Sequence, residues 1–274
     1  MRPADIDDLR HLLAALPFTV PVHVVGACSN LIIRDGGLAG IPIRLTRAFG
    51  GITFTDGGVT AGAAALDATV AEIAARAGLG GLEFLSGIPG TIGGAVAMNA
   101  GAYGGDVGSS LVWADIVTRT GSLRRLSTPE LAFSYRYARL PPGAIVVRAH
   151  FRVQPAKPSH IAVRMSEIRS TREATQPVRS RTGGSTFRNP RGAESSMKAW
   201  ELIDAAGCRG LAQGGAQVSD KHCNFLINTG AATASDLEGL GEEVRERVRA
   251  ATGVSLDWEI RRLGQPASVP QAAA

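Results

Sequence analysis

The feature that most constrains this chain is a glycine-rich segment without charge, residues 84–105. It reads FLSGIPGTIGGAVAMNAGAYGG and contains seven glycines and no charged side chain. Isoleucine, valine and methionine are interspersed with the glycines, which is not the composition of a flexible linker. Because glycine has no Cβ, its backbone can approach other groups closely and turn a run of amides toward an anion. The segment predicts a cofactor-binding loop. The alternative that stays open is a tightly turned piece of hydrophobic core.

The composition is that of a globular protein. Of the 274 residues, 45% are hydrophobic and 19% are charged, which are ordinary values for folded domains. The length favours two domains. No run approaches the roughly 20 apolar residues that span a bilayer, and the acid-rich first residues do not resemble a signal peptide. We therefore expect a cytoplasmic protein without a membrane partner.

Arginine dominates the basic residues and indicates an anionic small-molecule ligand. The net charge is +5, and only three of the 29 basic residues are lysines. The guanidinium fork binds phosphate and carboxylate groups through two parallel hydrogen bonds. Arginines are densest over residues 164–191, but aromatic residues are few there and no nucleic-acid-binding motif is present. We expect a small anionic substrate and no nucleic acid.

Three cysteines without C-x-x-C spacing predict no metal site.

Local patterns indicate two α+β regions with a boundary near residue 155. A basic helix is predicted from about His160 to Thr175. The sequence RSRTGGSTFRNPRG that follows from residue 179 is interpreted as a loop.

The C-terminal region predicts a capped helix, a strand and a tail. Ser235 and Glu238 have the spacing of a capping box. A last strand is predicted over residues 257–262. The polar-to-alanine residues 265–274 predict disorder.

Four further motifs follow one another along the chain. They are GACSNL at 26–31, FSYR at 133–136, GSTFRNP at 184–190 and WEIR at 258–261. The sequence has neither the G-x-G-x-x-G of a Rossmann fold nor a G-x-x-x-x-G-K-[ST] phosphate loop. With the glycine-rich segment, and in this order, the motifs strongly resemble UDP-N-acetylenolpyruvoylglucosamine reductase, from about Pro3 to Gly264. The short spacing between Arg136 and Ser185 resembles the family's shorter type, which has no tyrosine-rich insertion.

The resemblance implies an α+β protein with an FAD-binding fold of the vanillyl-alcohol-oxidase (PCMH) type, followed by a smaller α+β substrate-binding domain. The FAD-binding domain is expected over residues 1–155 as two α+β subdomains, without the further N-terminal segment that family members generally carry. The substrate-binding domain is expected over residues 156–264, with the tail at 265–274.

The same resemblance implies a reductase of peptidoglycan precursor synthesis. NADPH would reduce FAD, which would pass hydride to the enolpyruvyl ether of UDP-N-acetylglucosamine-enolpyruvate and give UDP-N-acetylmuramate. The partner is then a sugar nucleotide. The oligomeric state stays open, with a monomer favoured. Two alternatives remain, another FAD-dependent oxidoreductase of the same fold or a flavin-binding protein inactivated by N-terminal truncation.

Three residues match the family's catalytic positions. Hydride addition to the vinyl carbon pushes negative charge toward the carboxylate, and a cation and a hydrogen-bond donor must meet that charge. Arg136 and Glu259 match the positions for this role. Glu259 would have to be protonated to donate, and its titration should be visible in the pH–rate profile. Ser185 matches the family's proton donor to the other carbon.

The remaining site residues are binding residues that the resemblance implies. Those for the cofactor are Gly26, Ser29, Asn30, Gly87, Ile88, Pro89, Gly93, Gly94, Ala95, Asn99, Gly101 and Ala102. Those for the substrate are Arg188, Asn189 and His222. Arg188 stands where the family usually has lysine. Cys28 stands where the family usually has glycine, and its side chain is expected to crowd the cofactor's diphosphate.

Overall fold

The computed structural model describes residues 1–55, 57–190, 192 and 195–267, and the chain forms two compact units. The first comprises residues 1–27 and 40–172, and the second comprises residues 28–39 with the chain from residue 173. The contacts divide the chain between residues 172 and 173, because the helix after residue 155 buries Ile161 and Met165 in the core of the first unit. The domain boundary near residue 155 stays a prediction.

The helices and strands follow one another along the chain. They are α1 (Ile6–Ala15), β1 (Val22–Val24), β2 (Leu31–Ile33), β3 (Ile41–Ile43), β4 (Ile52–Thr55), β5 (Gly58–Gly62), α2 (Asp67–Arg76), β6 (Leu79–Gly80), α3 (Ile92–Ala97), β7 (Gly101–Ala102), β8 (Gly105–Asp106), α4 (Val107–Ser110), β9 (Leu111–Val117), β10 (Leu123–Ser127), α5 (Thr128–Leu131), β11 (Ile145–Arg152), β12 (Gln154–Pro155), α6 (Pro158–Thr175), β13 (Arg181–Ser185), α7 (Ala199–Ala205), β14 (Ala212–Gln213), β15 (Ala216–Val218), β16 (Phe225–Asn228), α8 (Ala234–Thr252) and β17 (Arg261–Leu263). Short 3₁₀ helices span Arg47–Phe49 and Glu83–Gly87.

The first unit is built on an antiparallel sheet with strand order β10-β9-β11-β5-β4. Its main core includes Val70 of α2, Ile92 of α3 and Phe151 of β11, all fully buried. A second cluster joins Leu9 and Leu13 of α1 to residues of β3, β9 and β11. Strands β1 and β3 pair in parallel beside it.

The second unit is an antiparallel sheet, in the order β13-β16-β15-β14, with α8 packed on it and α7 packed against α8. Its core includes Leu202 of α7, Leu240 and Val244 of α8, and Leu226 of β16. Strand β2 pairs in parallel with β17. This pairing explains why residues 28–39 belong with the C-terminal part of the chain.

The predicted capping box of the last helix is wrong by two residues. Helix α8 begins after Thr233, whose hydroxyl accepts a hydrogen bond from the Asp236 amide at 3.0 Å. The Asp236 carboxylate accepts one from the Thr233 amide, also at 3.0 Å. Ser235 instead donates to the Asp35 carboxylate at 2.6 Å, and Glu238 pairs with Arg34 at 2.9 Å. The partners of both predicted capping residues come from the β2 region, which local sequence spacing does not show.

Three further predictions about the C-terminal half are corrected. The loop predicted from residue 179 contains strand β13, which pairs with β16 although it holds two glycines. The last strand, β17, begins at Arg261 and not at residue 257. Gln265 exchanges two backbone hydrogen bonds with Gly36 and Gly37, at 2.9 and 3.0 Å, so the tail does not begin there. The predicted disorder of residues 268–274 lies outside the described residues.

Two glycines on α8 provide a matched test of this packing. A Cβ at Gly241 would lie 2.2 Å from the Trp258 ring, whereas one at Gly239 would meet the end of the flexible Gln213 side chain at 2.3 Å. Alanine favours a helix over glycine by about 1 kcal/mol. We expect Gly239→Ala to keep or raise the free energy of unfolding, and Gly241→Ala to lower it by about 1–3 kcal/mol through overpacking. Urea denaturation of both variants measures this, and equal effects would contradict the described Trp258 contact.

Candidate active site

Ser185 and Glu259 lie on adjacent backbone segments of the second unit. Ser185 ends β13 and is followed by the fully buried Thr186. The Thr186 carbonyl accepts a hydrogen bond from the Glu259 amide at 2.8 Å. An isolated antiparallel bridge between Phe187 and Trp258 extends this pairing. The structure thus brings together two of the three predicted catalytic residues.

Two predicted cofactor-binding residues belong to the same cluster. The Asn30 side-chain amide donates to the Glu259 carbonyl at 3.3 Å, and the Asn30 carbonyl accepts from the Arg261 amide at 3.1 Å. A Cβ at Gly184 would lie 3.6 Å from the Ser29 carbonyl oxygen. Ser29 and Asn30 therefore lie beside the segments that hold Ser185 and Glu259.

Asn224 holds this cluster in place and was not predicted. Its side-chain amide is buried and makes two bonds to Phe187, accepting from the amide at 2.9 Å and donating to the carbonyl at 2.8 Å. Its carbonyl accepts from the Thr186 amide at 2.8 Å. The only sequence signal is its position in SDKHCNFLIN, which resembles the family motif without indicating a role.

The three predicted substrate residues occupy different surroundings. Arg188 and Asn189 are exposed, and the Asn189 side-chain oxygen accepts from the Ala199 amide at the start of α7, at 3.0 Å. The His222 ring packs between the Phe225 and Trp200 rings, with centroids 4.9 and 6.2 Å away. Burial lowers the pKa of His222 below its ordinary value. His222 is therefore a neutral, packed side chain near neutral pH.

In the first unit, the glycine-rich segment is paired with residues 63–67. The Asp67 amide donates to the Gly90 carbonyl at 3.1 Å, and the Ile92 and Gly93 amides donate to Ala65 and Ala63 at 3.0 and 2.9 Å. A Cβ at Gly93 would lie 2.9 Å from the Ala63 Cβ, so glycine is needed for this approach. Of the predicted residues here, Pro89 and Gly94 are exposed.

Asn99 connects this segment to the turn that carries Arg136. Its side-chain amide donates to the Ser134 carbonyl at 3.0 Å and accepts from the Gly108 amide at 2.8 Å. Both functional groups of this predicted cofactor-binding residue thus bond protein backbone. Arg136 follows in the turn, with a left-handed φ of 55°. Its guanidinium lies 5.3 Å from the centre of the Tyr135 ring.

The GACSNL turn spans the division between the two units. A Cβ at Gly26 would lie 2.6 Å from the Thr91 hydroxyl oxygen, so Gly26 and Thr91 are close neighbours in the first unit. Cys28, in the second unit, is exposed and has φ of 58°. This left-handed conformation favours glycine, the residue that the resemblance places there.

The environment of the glycine-rich segment fits an anionic cofactor such as FAD. The segment has no charged side chain, and its Gly94 is exposed. Even a Cβ at Gly94 would lie 3.7 Å from its nearest neighbour, the Thr91 hydroxyl oxygen, so the backbone there is accessible. Asp67 is one of the acidic residues that bond this segment, and it is fully buried. Burial raises the Asp67 pKa from 3.8 to about 8, so this acid adds no negative charge at neutral pH.

A cavity of about 490 Å³ opens elsewhere in the second unit. It is lined by Glu173, Gln176, Pro177, Val178, Arg179, Ser180, Ser219, Asp220, Lys221 and Ile227. Two acidic and two basic side chains balance its charge, and none of the predicted site residues lines it.

Within the described ranges, no cluster of three or more His, Cys, Asp or Glu residues could hold a metal ion. In the same ranges, no helix has the length and apolarity needed to cross a membrane.

Comparisons with known proteins first define the class. The family model described as FAD binding domain matches residues 1–127. The model for the C-terminal domain of UDP-N-acetylenolpyruvoylglucosamine reductase matches residues 176–263. The fold is therefore an FAD-binding domain followed by a smaller α+β domain, as predicted.

Full-length relatives then identify the family. The UDP-N-acetylenolpyruvoylglucosamine reductase of Acidiphilium cryptum is 64% identical, over 97% of this chain and 84% of the relative. That of Gluconobacter oxydans is 60% identical, over 96% and 85%. The crystal structure of the Thermus caldophilus reductase superimposes with a TM-score of 0.84 at 34% identity, over 96% of this chain and 91% of that one. The chain belongs to the UDP-N-acetylenolpyruvoylglucosamine reductase family.

Family membership confirms the resemblance drawn from the motifs. The chain is therefore an oxidoreductase of peptidoglycan precursor synthesis with FAD as its cofactor. NADPH as the reductant is consistent with this family. Family membership also removes the alternative of a different oxidoreductase on the same fold.

The buried Asp67 predicts a pH dependence of stability. The folded chain keeps the Asp67 proton up to about pH 8, whereas the unfolded chain releases it near 3.8. The contribution of Asp67 to the free energy of unfolding is therefore fully present below about pH 4. It is lost as pH rises to about 8, and the total loss is on the order of 5 kcal/mol. The isosteric, uncharged Asp67→Asn should lose this slope, and the partly exposed Glu72→Gln on the same helix should keep it. Urea denaturation between pH 5 and 8 measures the slopes, and the same slope in all three proteins would refute the assignment.

Proposed function

We propose that this chain is a cytoplasmic, monomeric reductase that uses NADPH and FAD to convert UDP-N-acetylglucosamine-enolpyruvate to UDP-N-acetylmuramate. When bound, FAD supplies the hydride acceptor and donor chemistry. The observation that supports the substrate chemistry is the bonded cluster of the second unit. There, the Glu259 amide donates to Thr186, the residue after Ser185, at 2.8 Å.

In this proposal, residues of the GACSNL turn and of the glycine-rich segment bind and orient the cofactor. The residues assigned this role are Gly26, Ser29, Asn30, Gly87, Ile88, Pro89, Gly93, Gly94, Ala95, Asn99, Gly101 and Ala102. The Ile92 and Gly93 amides already bond Ala65 and Ala63, so the exposed backbone at Gly94 is the part of this uncharged segment that would face the diphosphate. Asn99 contributes to cofactor binding by holding this segment in place, because its side-chain amide donates to the Ser134 carbonyl at 3.0 Å.

Three side chains meet the charge that develops on the substrate. Hydride addition at the terminal vinyl carbon moves electron density onto the adjacent carbon and the carboxylate. Arg136 supplies a positive charge to the resulting enolate and Glu259 a hydrogen bond. Ser185 then gives its hydroxyl proton to the carbanion-like carbon, which completes the addition.

Arg188, Asn189 and His222 serve substrate binding in this proposal. Arg188 is exposed and keeps the positive charge of the family's lysine, which suits a diphosphate. His222 is packed against two aromatic rings, so it would act as a neutral hydrogen-bonding group.

The reaction is tested in two anaerobic steps. NADPH should bleach the visible flavin absorption of the FAD-loaded protein, and the enolpyruvyl sugar nucleotide should then restore it. Ser185→Ala should leave bleaching unchanged and slow the restoration by about 10²–10⁴-fold, the usual effect of losing a general acid. Thr182→Val is the matched control on β13, because its buried hydroxyl has no hydrogen-bond partner.

Each result of this experiment has a distinct meaning. Bleaching without restoration would refute the substrate and keep the oxidoreductase class. A protein that binds FAD but is not bleached by NADPH would favour the alternative of an inactivated flavin-binding protein, and one that cannot be loaded with FAD would indicate a damaged cofactor site. Equal restoration in Ser185→Ala and Thr182→Val would remove Ser185 from the chemistry.

Glu259 is tested by the pH dependence of the second step. If a protonated Glu259 donates a hydrogen bond to the intermediate, the restoration rate falls as pH rises through its pKa. Glu259→Gln keeps a donor that does not titrate, so we expect a lower rate, by about 10–10³-fold, without that alkaline fall. The exposed Asp257→Asn should retain the wild-type profile. An alkaline fall that persists in Glu259→Gln would assign it to another group.

A further inference from the structure

The described residues contain few buried side-chain oxygens without a hydrogen-bond partner, and two of them belong to one carboxyl group. They are both oxygens of Asp67 and the hydroxyls of Tyr103 and Thr182. Asp67 is fully buried, and the proposed chemistry does not use it. A buried carboxyl group without a partner is costly, so its position calls for a physical explanation.

The Asp67 carboxyl group lies directly against the glycine-rich segment. Its own amide bonds the Gly90 carbonyl at 3.1 Å, and an isolated antiparallel bridge joins the preceding Leu66 to Thr91. A Cβ at Gly90 would lie 2.5 Å from Asp67 Oδ2. A side chain at Gly90 would therefore meet this carboxyl group, and the Gly90 backbone lies directly against Asp67.

The charged groups on the elements around Asp67 are engaged elsewhere or lie at a distance along the helix. Glu72 of α2 pairs with Arg169 of α6 at 2.6 Å, and Arg76 lies in the last turn of α2. The Glu83 carboxylate accepts from the Gly81 amide at 2.8 Å. The glycine-rich segment itself has no charge. Burial alone raises the Asp67 pKa to about 8.

We propose that Asp67 is a positioning residue for the cofactor, whose neutral carboxyl group supports the Gly90 backbone and whose ionisation weakens FAD binding. The inference rests on the proposed assignment of residues 87–95 to FAD. An ionised Asp67 would place a negative charge beneath a segment that receives an anionic diphosphate, and it would draw water toward the Gly90 backbone. Bound FAD in turn favours the protonated acid, so FAD binding above pH 8 is coupled to the uptake of a proton.

The linkage fixes the direction of the pH effect. Below about pH 8, free and FAD-bound protein both hold the Asp67 proton, and the affinity does not depend on this group. Above it, the free protein loses the proton first, so each further pH unit weakens binding by up to about tenfold.

The test is FAD titration of flavin-free protein between pH 6.5 and 9.5, followed by flavin fluorescence. Wild-type protein should show a constant dissociation constant to about pH 8 and an increase of about tenfold per unit above it. Asp67→Asn should show a flat profile. Glu72→Gln, on the same helix with a side chain that is 43% exposed, should follow the wild type and accounts for any titration of the flavin itself. Parallel profiles for wild type and Asp67→Asn would overturn the proposal.

A second measurement needs no variant at Asp67. Calorimetric FAD titrations of wild-type protein at pH 8.5, in two buffers with different ionisation enthalpies, report the protons taken up on binding. We expect a substantial fraction of one proton, and no uptake would overturn the proposal even if Asp67→Asn failed to fold. FAD binding without proton uptake leaves the proposed function intact, whereas a wild-type protein that binds no FAD contradicts both.

Discussion

The backbone of Thr186 is the point on which the geometry of the second unit's candidate site depends. Its amide donates to Asn224 and its carbonyl accepts from Glu259, both at 2.8 Å, and its hydroxyl oxygen accepts from the Leu226 amide at 3.2 Å. The residue is fully buried, where an unpaired amide or carbonyl would be costly. Ser185 and Glu259 therefore have their positions set by groups that take no part in the chemistry.

Sequence patterns located elements and motif residues well, and long-range partners less well. The order of motifs singled out Ser185 and Glu259, whose neighbouring backbone segments the structure pairs, and the predicted basic helix from about His160 to Thr175 corresponds to α6. The capping box failed because Ser235 and Glu238 bond Asp35 and Arg34, some 200 residues earlier in the chain. Strand β13 was missed because its glycines lower strand propensity, while pairing with β16 supplies the stability.

The glycine-rich segment shows why its two interpretations could not be separated by pattern alone. Phe84, Leu85, Ile92 and Val96 are buried in the main core of the first unit, which confirms the core interpretation for these side chains. The glycines of the same segment serve close backbone approach, at Gly93 to Ala63 and at Gly90 to the Asp67 carboxyl group. Both interpretations thus hold for one stretch of chain. Its apolar side chains belong to the core, while its glycines allow close approach and leave backbone accessible.

Two buried aspartates of the first unit illustrate how a partner decides the charge of an acid. Burial opposes ionisation of Asp115, but hydrogen bonds and charges of Arg125 and Arg148 outweigh it and lower its pKa. Asp67 has burial without a partner, and its pKa is raised. An arginine beside Asp67 would fix a permanent ion pair under the glycine-rich segment and would need space that the close Gly90 contact does not leave. A neutral acid occupies that space without adding a charge, and the proposed coupling between its proton and FAD binding depends on this.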